Sequence, residues 1–356
     1  PTSMPYSGQL MKKLNVGIIG YGWAAGAHID AINQGGKAQV SAVYSTRKLD
    51  SSEVSAKHGG TITVYNSLKA MLADPNLQVI SVTSYPWEHA RQIIDVAKAG
   101  KHIIAEKPLV LSLKDLRAVE AAIKKAKVNF CICFEARFSS HFKVTKSVID
   151  RGLLGKLHYG EVDYYHGIGP WYGQYRWNVT RKGGGSSLLT AGCHALDALL
   201  LCMGSEVEEV SSYDTQSAHP DFQKYEYPTS SVTILKFKNG AVGKCAAVVD
   251  CFQPYYFHTH LVGSEGSLLD DKFHSNLLGA NKNGWSKLSM SLMDSGDVSD
   301  HPYQAEFDTL FDAIAKGRQM PLAGLVDAVA THEVIFAADL SAKRGKPVRM
   351  KEIRGK

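Results

Sequence analysis

The chain has 356 residues, enough for two domains with separate cores. With 44% hydrophobic and 21% charged residues, its composition is that of an ordinary globular protein, which excludes a disordered or fibrous chain. The formal net charge of +6 is mild, and Lys and Arg are scattered, so the sequence carries no nucleic-acid footprint.

No apolar run reaches membrane length, so no membrane partner is expected. The six cysteines include no C-x-x-C pair. A disulfide framework and a zinc site are therefore not expected, and a reducing, cytoplasmic setting fits. Cys131 and Cys133 read as core thiols on one strand face. Residues 1–12 are expected to be a leader without signal-peptide character, outside the folded part.

Strand and helix signals alternate through the first third of the chain. Val16-Gly17-Ile18-Ile19 reads as a strand and runs directly into Gly20-Tyr21-Gly22-Trp23-Ala24-Ala25. This is G-x-G-x-x-A between a strand and a helix. The first glycine allows a tight turn, the second lets a pyrophosphate approach the backbone, and the alanine permits close helix–strand packing. Gly20, Tyr21, Gly22, Trp23 and Ala24 are thus candidate dinucleotide contacts.

Val40 to Tyr44 is the second strand. An acidic residue at its end would bind the ribose hydroxyls of NAD. The chain has Ser45, Thr46, Arg47 and Lys48 there instead, a set that leans toward the 2′-phosphate of NADP. Solvated charges beside an NAD site bound through hydroxyl contacts are the alternative.

Val79 to Val82 is a further strand. A helix from about Trp87 to Ala99 follows, stopped by Gly100. The run His102-Ile103-Ile104 then leads into Ala105-Glu106-Lys107-Pro108. In open α/β sheets ligands bind at the carboxyl ends of strands, so Lys107 is placed to donate to a substrate or cofactor oxygen. Glu106 is expected to hold that lysine or the cofactor amide. Ser112 and Asp115 form a capping signal for the next helix. Alternating apolar strands and helices predict a parallel, doubly wound sheet over residues 13–128.

Beyond Val128-Asn129-Phe130 the pattern changes, and residues 129–356 are expected to form an α+β domain with a large, mainly antiparallel open sheet. Gly183-Gly184-Gly185 opens a run from Ser187 to Leu201 that reads as a buried helix. Thr190, His194 and Asp197 share one face of it, a polar stripe that needs partners or a cavity. His194 can take a hydroxyl proton near neutral pH, and Lys107 can stabilise the same oxygen.

The stretch Tyr164-Tyr165-His166, followed by Trp171 to Trp177, interleaves aromatics with Gln and Arg. It suits a sugar, an aromatic packing segment or an oligomer contact. Tyr165, His166, Trp171, Arg176 and Trp177 are the candidate substrate contacts. Asn239-Gly240 marks a hairpin between Val232–Lys238 and Val242–Val249, and Phe257 to Val262 is another strand. Residues 276–298 read as a loop-rich excursion. His258 and His260 share a strand face with no third ligand in view, so no metal is expected.

The glycine turn, the Ala-Glu-Lys-Pro segment and Gly-Cys-His-Ala-Leu-Asp at residues 192–197 together resemble the Gfo/Idh/MocA oxidoreductases. Pro86-Trp87-Glu88-His89, residues 151–156 and Gly345-Lys346-Pro347-Val348 extend the resemblance over most of the chain. It implies an N-terminal Rossmann domain and homodimers or homotetramers formed through the face of the second sheet. It also implies hydride transfer between NAD(P) and a sugar or polyol. On that resemblance Lys107 and His194 match the catalytic pair and Asp197 a second carboxylate. Ser84, Pro86, His89, Glu106 and Glu135 join the cofactor-binding set. Thr190 departs from the pattern, which often has Asp at that position.

Two other outcomes stay open on this scaffold. One is glycoside cleavage by transient oxidation, elimination and re-reduction; the other is a non-catalytic NAD(P)-sensing protein.

Overall fold

Short apolar runs separated by helices assemble a six-stranded sheet in the computed structural model, which describes residues 13–279, 283–293 and 300–355. The expected leader lies outside the described residues. The strands are β1 (Leu14–Ile19), β2 (Ala38–Tyr44), β3 (Thr63–Tyr65), β4 (Val79–Val82), β5 (His102–Ala105) and β6 (Phe130–Ile132). They lie in the order β3-β2-β1-β4-β5-β6 with every pairing parallel. The order reverses between β1 and β4, which leaves a crevice at the carboxyl ends of those strands. All of β4 is buried, as helices on both faces require.

The helices that follow these strands start where the sequence signals them. Trp23–Gln34 follows β1, and Pro86–Lys98 follows β4 with its proline in the first turn. Leu113–Ala126 follows β5, and Ser112 Oγ accepts from the Asp115 N–H at 3.1 Å.

β6 belongs to this first sheet although it lies beyond residue 128; Phe130 pairs with Ile103 and Ile132 with Ala105. Only three residues long, β6 is too short to show a period of its own. The chain therefore crosses from one sheet to the other after β6 rather than before it.

The second sheet contains β7 (Leu157–Tyr165), β8 (Val207–Thr215), β9 (Ser230–Phe237), β10 (Val242–Val248), β11 (Tyr256–Gly263), β12 (Gly266–Leu269), β13 (Lys272–Ser275), β14 (Ser286–Lys287) and β15 (Val348–Arg349). Their order is β14-β13-β12-β11-β7-β10-β9-β8-β15, antiparallel except for the parallel β7–β10 pair. Gly240, at φ +87°, turns β9 into β10 as the Asn-Gly signal predicts. In the excursion over 276–298, the described residues carry only the short β14; 280–282 and 294–299 lie outside them.

One face of this sheet packs on helices Cys193–Met203 and Leu325–Arg344. The opposite face leaves Tyr213, Val232, Ile234 and Val242 exposed.

The run read as one helix from Ser187 begins instead with a π-helical turn, Leu188–Gly192, and continues as the α-helix Cys193–Met203. Gly192 lets this turn lie directly on β10, since a Cβ there would meet that of Ala247 at 2.4 Å. Wide turns of this kind recur at functional sites.

A buried clamp ties that helix to the first sheet. Arg137, in the turn after β6, donates from Nε and Nη2 to the two carboxylate oxygens of Asp197 at 2.6 and 2.8 Å. Thr331 donates to the same carboxylate at 2.9 Å, and Arg137 also reaches Asp327 at 3.1 Å. Asp197 is thereby fully engaged inside the protein and does not reach the crevice; the residues that hold it are far away in sequence and carry no local signal.

Removing one member of a buried pair strands the other charge. Asp197→Ala is therefore expected to lose about 3–5 kcal/mol of stability in denaturant unfolding. Unchanged stability would show that the pair is not a structural tie.

Candidate active site

The crevice is a cleft of about 1060 Å³ that runs from the Gly20–Ala24 turn to the second sheet. At its nucleotide end Gly20 has φ +89°, and a Cβ there would lie 2.8 Å from the Ser84 backbone nitrogen. Only glycine fits that turn. Gly22 caps helix Trp23–Gln34 without a side-chain hydrogen bond, the first turn has no acidic residue, and a Cβ on Gly22 would meet nothing within 4 Å. A helix N-terminus that is uncapped and open to the cleft is a seat for an anionic diphosphate, so these residues fit a dinucleotide. The Thr83 hydroxyl, 3.1 Å from the Ile19 carbonyl and 3.2 Å from that of Gly20, ties the turn to the end of β4.

Ser45, Thr46 and Arg47 line the cleft at the end of β2, as expected. Ser45 Oγ accepts from the Arg47 N–H at 3.1 Å, and the Arg47 guanidinium donates to the Tyr21 carbonyl. The first carboxylate after β2, Asp50, is engaged as the N-cap of helix Ser51–His58. Ser84 and Pro86 also line the cleft, with Ser84 Oγ donating to Gln92 Oε1 at 2.5 Å. His89 does not line it. Its ring lies between the carbonyls of Pro108 at 2.8 Å and Ser84 at 3.0 Å, where it braces the loops that carry the cleft residues.

The opposite end gathers Glu106 and Lys107 from the end of β5, Glu135 from the turn after β6, Thr190 from the π-helical turn, His194 from the helix that continues it, and His301 and Tyr303 from the C-terminal third. Lys107 Nζ donates to the Thr190 carbonyl at 3.0 Å, on the π-helical turn. Glu106 is buried. Its Oε1 lies 2.9 Å from His28 Nε2 and accepts from the Tyr303 hydroxyl at 3.0 Å, while Oε2 accepts from the Lys107 N–H at 3.0 Å. Burial opposes its charge, but the bond to His28, with the charges of His28 and Lys107, outweighs burial and holds its pKa at about 2. Glu106 is thus an ionised anchor for the lysine backbone.

Glu135 behaves in the opposite way: burial, then the nearby charge of Glu106, raises its pKa to about 8. Burial and the neighbouring charge of Lys107 push His194 well below its ordinary value, so its imidazole is neutral and free to accept a proton. The Thr190 hydroxyl donates to Asn178 Oδ1.

The wall opposite is aromatic. Tyr85 stacks on Trp87 with centroids 4.5 Å apart, Trp177 meets Tyr85 edge-on at 5.9 Å, and Arg176 reaches the Tyr85 hydroxyl at 3.5 Å. Trp171 and His166 also line the cleft.

Tyr165 does not. Strand alternation puts it on the outer face of the second sheet, stacked near Tyr256 at 6.1 Å, and it is Tyr164 that faces inward and bonds His166 Nδ1 at 2.9 Å. Choosing the inward tyrosine needed only the period-two rule, counted from buried Val162. Asn178, one residue past the Trp171–Trp177 stretch, and His301 and Tyr303, in a segment with no local chemical pattern, lie outside that expectation.

On the outer sheet face, the third group that the sequence did not reveal beside His258 and His260 is Glu161; their ligand atoms all lie within 4.8 Å of one another. Lys244 Nζ occupies that carboxylate at 2.6 Å and Asp163 at 2.7 Å, so an ammonium already balances the charge.

Residues 14–135 match the sequence model of the Gfo/Idh/MocA oxidoreductase family, NAD-binding Rossmann fold, and residues 142–269 match that of the Gfo/Idh/MocA C-terminal domain. Myo-inositol 2-dehydrogenase of Thermotoga maritima is 25% identical over 342 residues, covering 96% of this chain and 100% of the relative. The scyllo-inositol 2-dehydrogenase (NAD(+)) of Bacillus subtilis is 25% identical over 284 residues, 79% of this chain and 80% of its own length. Among solved structures, a levoglucosan dehydrogenase in complex with NADH and levoglucosan superposes with a TM-score of 0.83 at 21% identity, covering 95% of this chain and 100% of that one. With both halves matched in the order in which the two sheets follow one another, the chain belongs to the Gfo/Idh/MocA family of NAD-binding oxidoreductases.

Proposed function

We propose that this oxidoreductase transfers hydride between a nicotinamide cofactor and a hydroxyl or keto carbon of a sugar or sugar-like polyol, with Lys107 and His194 acting on the oxygen. The carrying observation is that Lys107 and a neutral His194 line the same cleft as the open Gly20–Gly22 anion seat. The dinucleotide, when bound, supplies the hydride acceptor or donor. Gly20, Gly22 and the first turn of helix Trp23–Gln34 would hold its diphosphate. The Lys107 ammonium hydrogen-bonds the substrate oxygen and stabilises its developing negative charge. His194 takes the hydroxyl proton in oxidation and returns it in reduction. Glu106, itself ionised, fixes the lysine backbone.

The aromatic wall of Tyr85, Trp87 and Trp177, with Arg176 at its edge, supports a sugar-like substrate: rings accept its C–H faces while polar groups read its hydroxyls. The named activities of the relatives, on inositols and levoglucosan, point to the same class.

For the cofactor, our reading is a preference for NADP(H). It rests on Ser45, Thr46 and Arg47 at the ribose end of the cleft and on the use of Asp50 as a helix cap. We also assign the outer face of the second sheet, with exposed Val232, Ile234 and Val242, to a homo-oligomer contact.

Lys107→Ala and His194→Ala are each expected to lower kcat/KM on the best sugar or polyol by at least about 10²-fold while cofactor binding, followed by fluorescence, persists. Full activity in both variants would sink the assignment. NADPH is expected to bind at least about tenfold more tightly than NADH, a difference Arg47→Glu should reverse; equal affinities in the parent would rule out the preference. Light scattering is expected to give a dimer or tetramer that Ile234→Lys weakens, and a monomeric parent would refute the contact.

A further inference from the structure

His194 can start the reaction as a base, but to work again it must lose the proton it gains. Thr190, one turn earlier on the same helix, brings a hydroxyl rather than a carboxylate. The carboxylate that stands beside His194 comes from another element. Glu135 Oε1, in the turn after β6, lies 3.6 Å from His194 Nε2. The same oxygen lies 3.5 Å from His301 Nε2, and His301 Nδ1 lies 3.1 Å from Asp300 Oδ1. The row leads outward: side chains of His194, Glu135 and His301 are 4%, 2% and 6% accessible, and that of Asp300 is 31%.

Two further atoms mark the row as more than packing. Glu135 Oε2 and His194 Nδ1 are both buried without a hydrogen-bond partner. Such orphaned groups are costly and call for a role. Separations of 3.5–3.6 Å exceed hydrogen-bond length, and catalytic contacts of this kind often tighten only when substrate binds.

We propose that Glu135 is the proton acceptor for His194 and that His301 and Asp300 carry the proton onward to solvent. This rests on the proposed dehydrogenase reading. In the oxidation direction, the substrate O–H bond breaks, its electron pair stays on oxygen, and the proton forms an N–H bond on His194. An N–H bond of that imidazolium then breaks as an O–H bond forms on Glu135. Glu135 passes a proton to His301 Nε2, the Nδ1 proton of His301 leaves to Asp300 and water, and proton exchange with water then restores the Nδ1–H tautomer for the next turn. One proton enters the row and one leaves it. Reduction runs the row backwards. Glu135 is a positioning and relay residue, acting through His194.

The groups around Glu135 set its working range. Glu106 and Lys107 face it from the end of β5, Asp197 from the His194 helix, and Tyr303 and Glu306 from helix Tyr303–Ala315. Tyr164 and Tyr255 face it from the second sheet, and Cys131 and Cys133 lie on β6 and just beyond it. Burial and Glu106 raise its pKa to about 8, against the pull of Lys107. Only the deprotonated form accepts a proton, so oxidation rises as pH climbs through that value and reduction falls.

The test uses the whole chain labelled with ¹⁵N-histidine, with and without Glu135→Gln. The ring signals of His194 and His301, assigned with His194→Asn and His301→Gln, are expected to shift together as Glu135 titrates, and Glu135→Gln should abolish that shared shift. With a sugar or polyol turned over, kcat for oxidation should lose its alkaline rise in Glu135→Gln and fall roughly 10²-fold, with KM unchanged. His301→Gln should flatten the same limb, and Glu135→Asp should restore part of it. Imidazole titrations that are identical in the parent and Glu135→Gln overturn the relay, whether or not any substrate is turned over. Coupled titration without turnover of any sugar supports the relay and counts against the proposed reaction alone.

Discussion

The buried bidentate pair between Arg137 and Asp197 is the constraint on which the remaining geometry depends. Arg137 follows the last strand of the first sheet, and Asp197 lies one turn beyond His194 on the helix that packs on the second sheet. Planar guanidinium and carboxylate groups paired through two bonds fix direction as well as distance. They set where the helix stands relative to β5, and hence where His194 stands relative to Lys107. Thr331 and Asp327, from the long helix near the C-terminus, complete the clamp. A residue that looks catalytic by its place on the helix thus acts by holding the helix still.

Within that frame, two glutamates in one cleft are held in opposite charge states. Glu106 meets His28, the Tyr303 hydroxyl and the backbone of Lys107, so its charged form is stabilised by donors on every side. Glu135 has long contacts to two neutral imidazoles and one oxygen with no partner, and it also feels the charge of Glu106. The ionisation of the first helps to keep the second protonated. Separation of two like groups by environment is how one site comes to hold both a fixed charge and a mobile proton.

Local chemistry made the turns and caps of both sheets legible. The Gly20–Ala25 turn, the Ser112 cap and the Asn239-Gly240 hairpin each express a rule that acts within a few residues, and each stands where the sequence places it. Lys107 and His194 could be picked out because each sits in a short patterned segment. What stayed hidden depends on long-range contact. β6 was too short to show a period, and Asp197 could not be separated from His194 without knowing where Arg137 lies. Tyr164 and Tyr165 are told apart only by the parity of β7, which turns Tyr164 inward and Tyr165 outward. His301 and Tyr303 have no motif; only the path of the chain brings them to Glu135 and Glu106. Family membership made the reaction class readable, while the cofactor's phosphate and the identity of the substrate depend on side chains that families vary.

The Tyr303–Glu106 bond joins residues 197 positions apart. During synthesis the dinucleotide seat is complete once β6 has emerged, yet the reactive end still lacks its last wall. Only when the C-terminal third has been made and folded back do Tyr303 and His301 close over Glu106 and Glu135. The enclosed end of the cleft is therefore a product of the whole chain, just as β6 itself leans on the late segment through the Ile132 N–H bond to the Ala323 carbonyl.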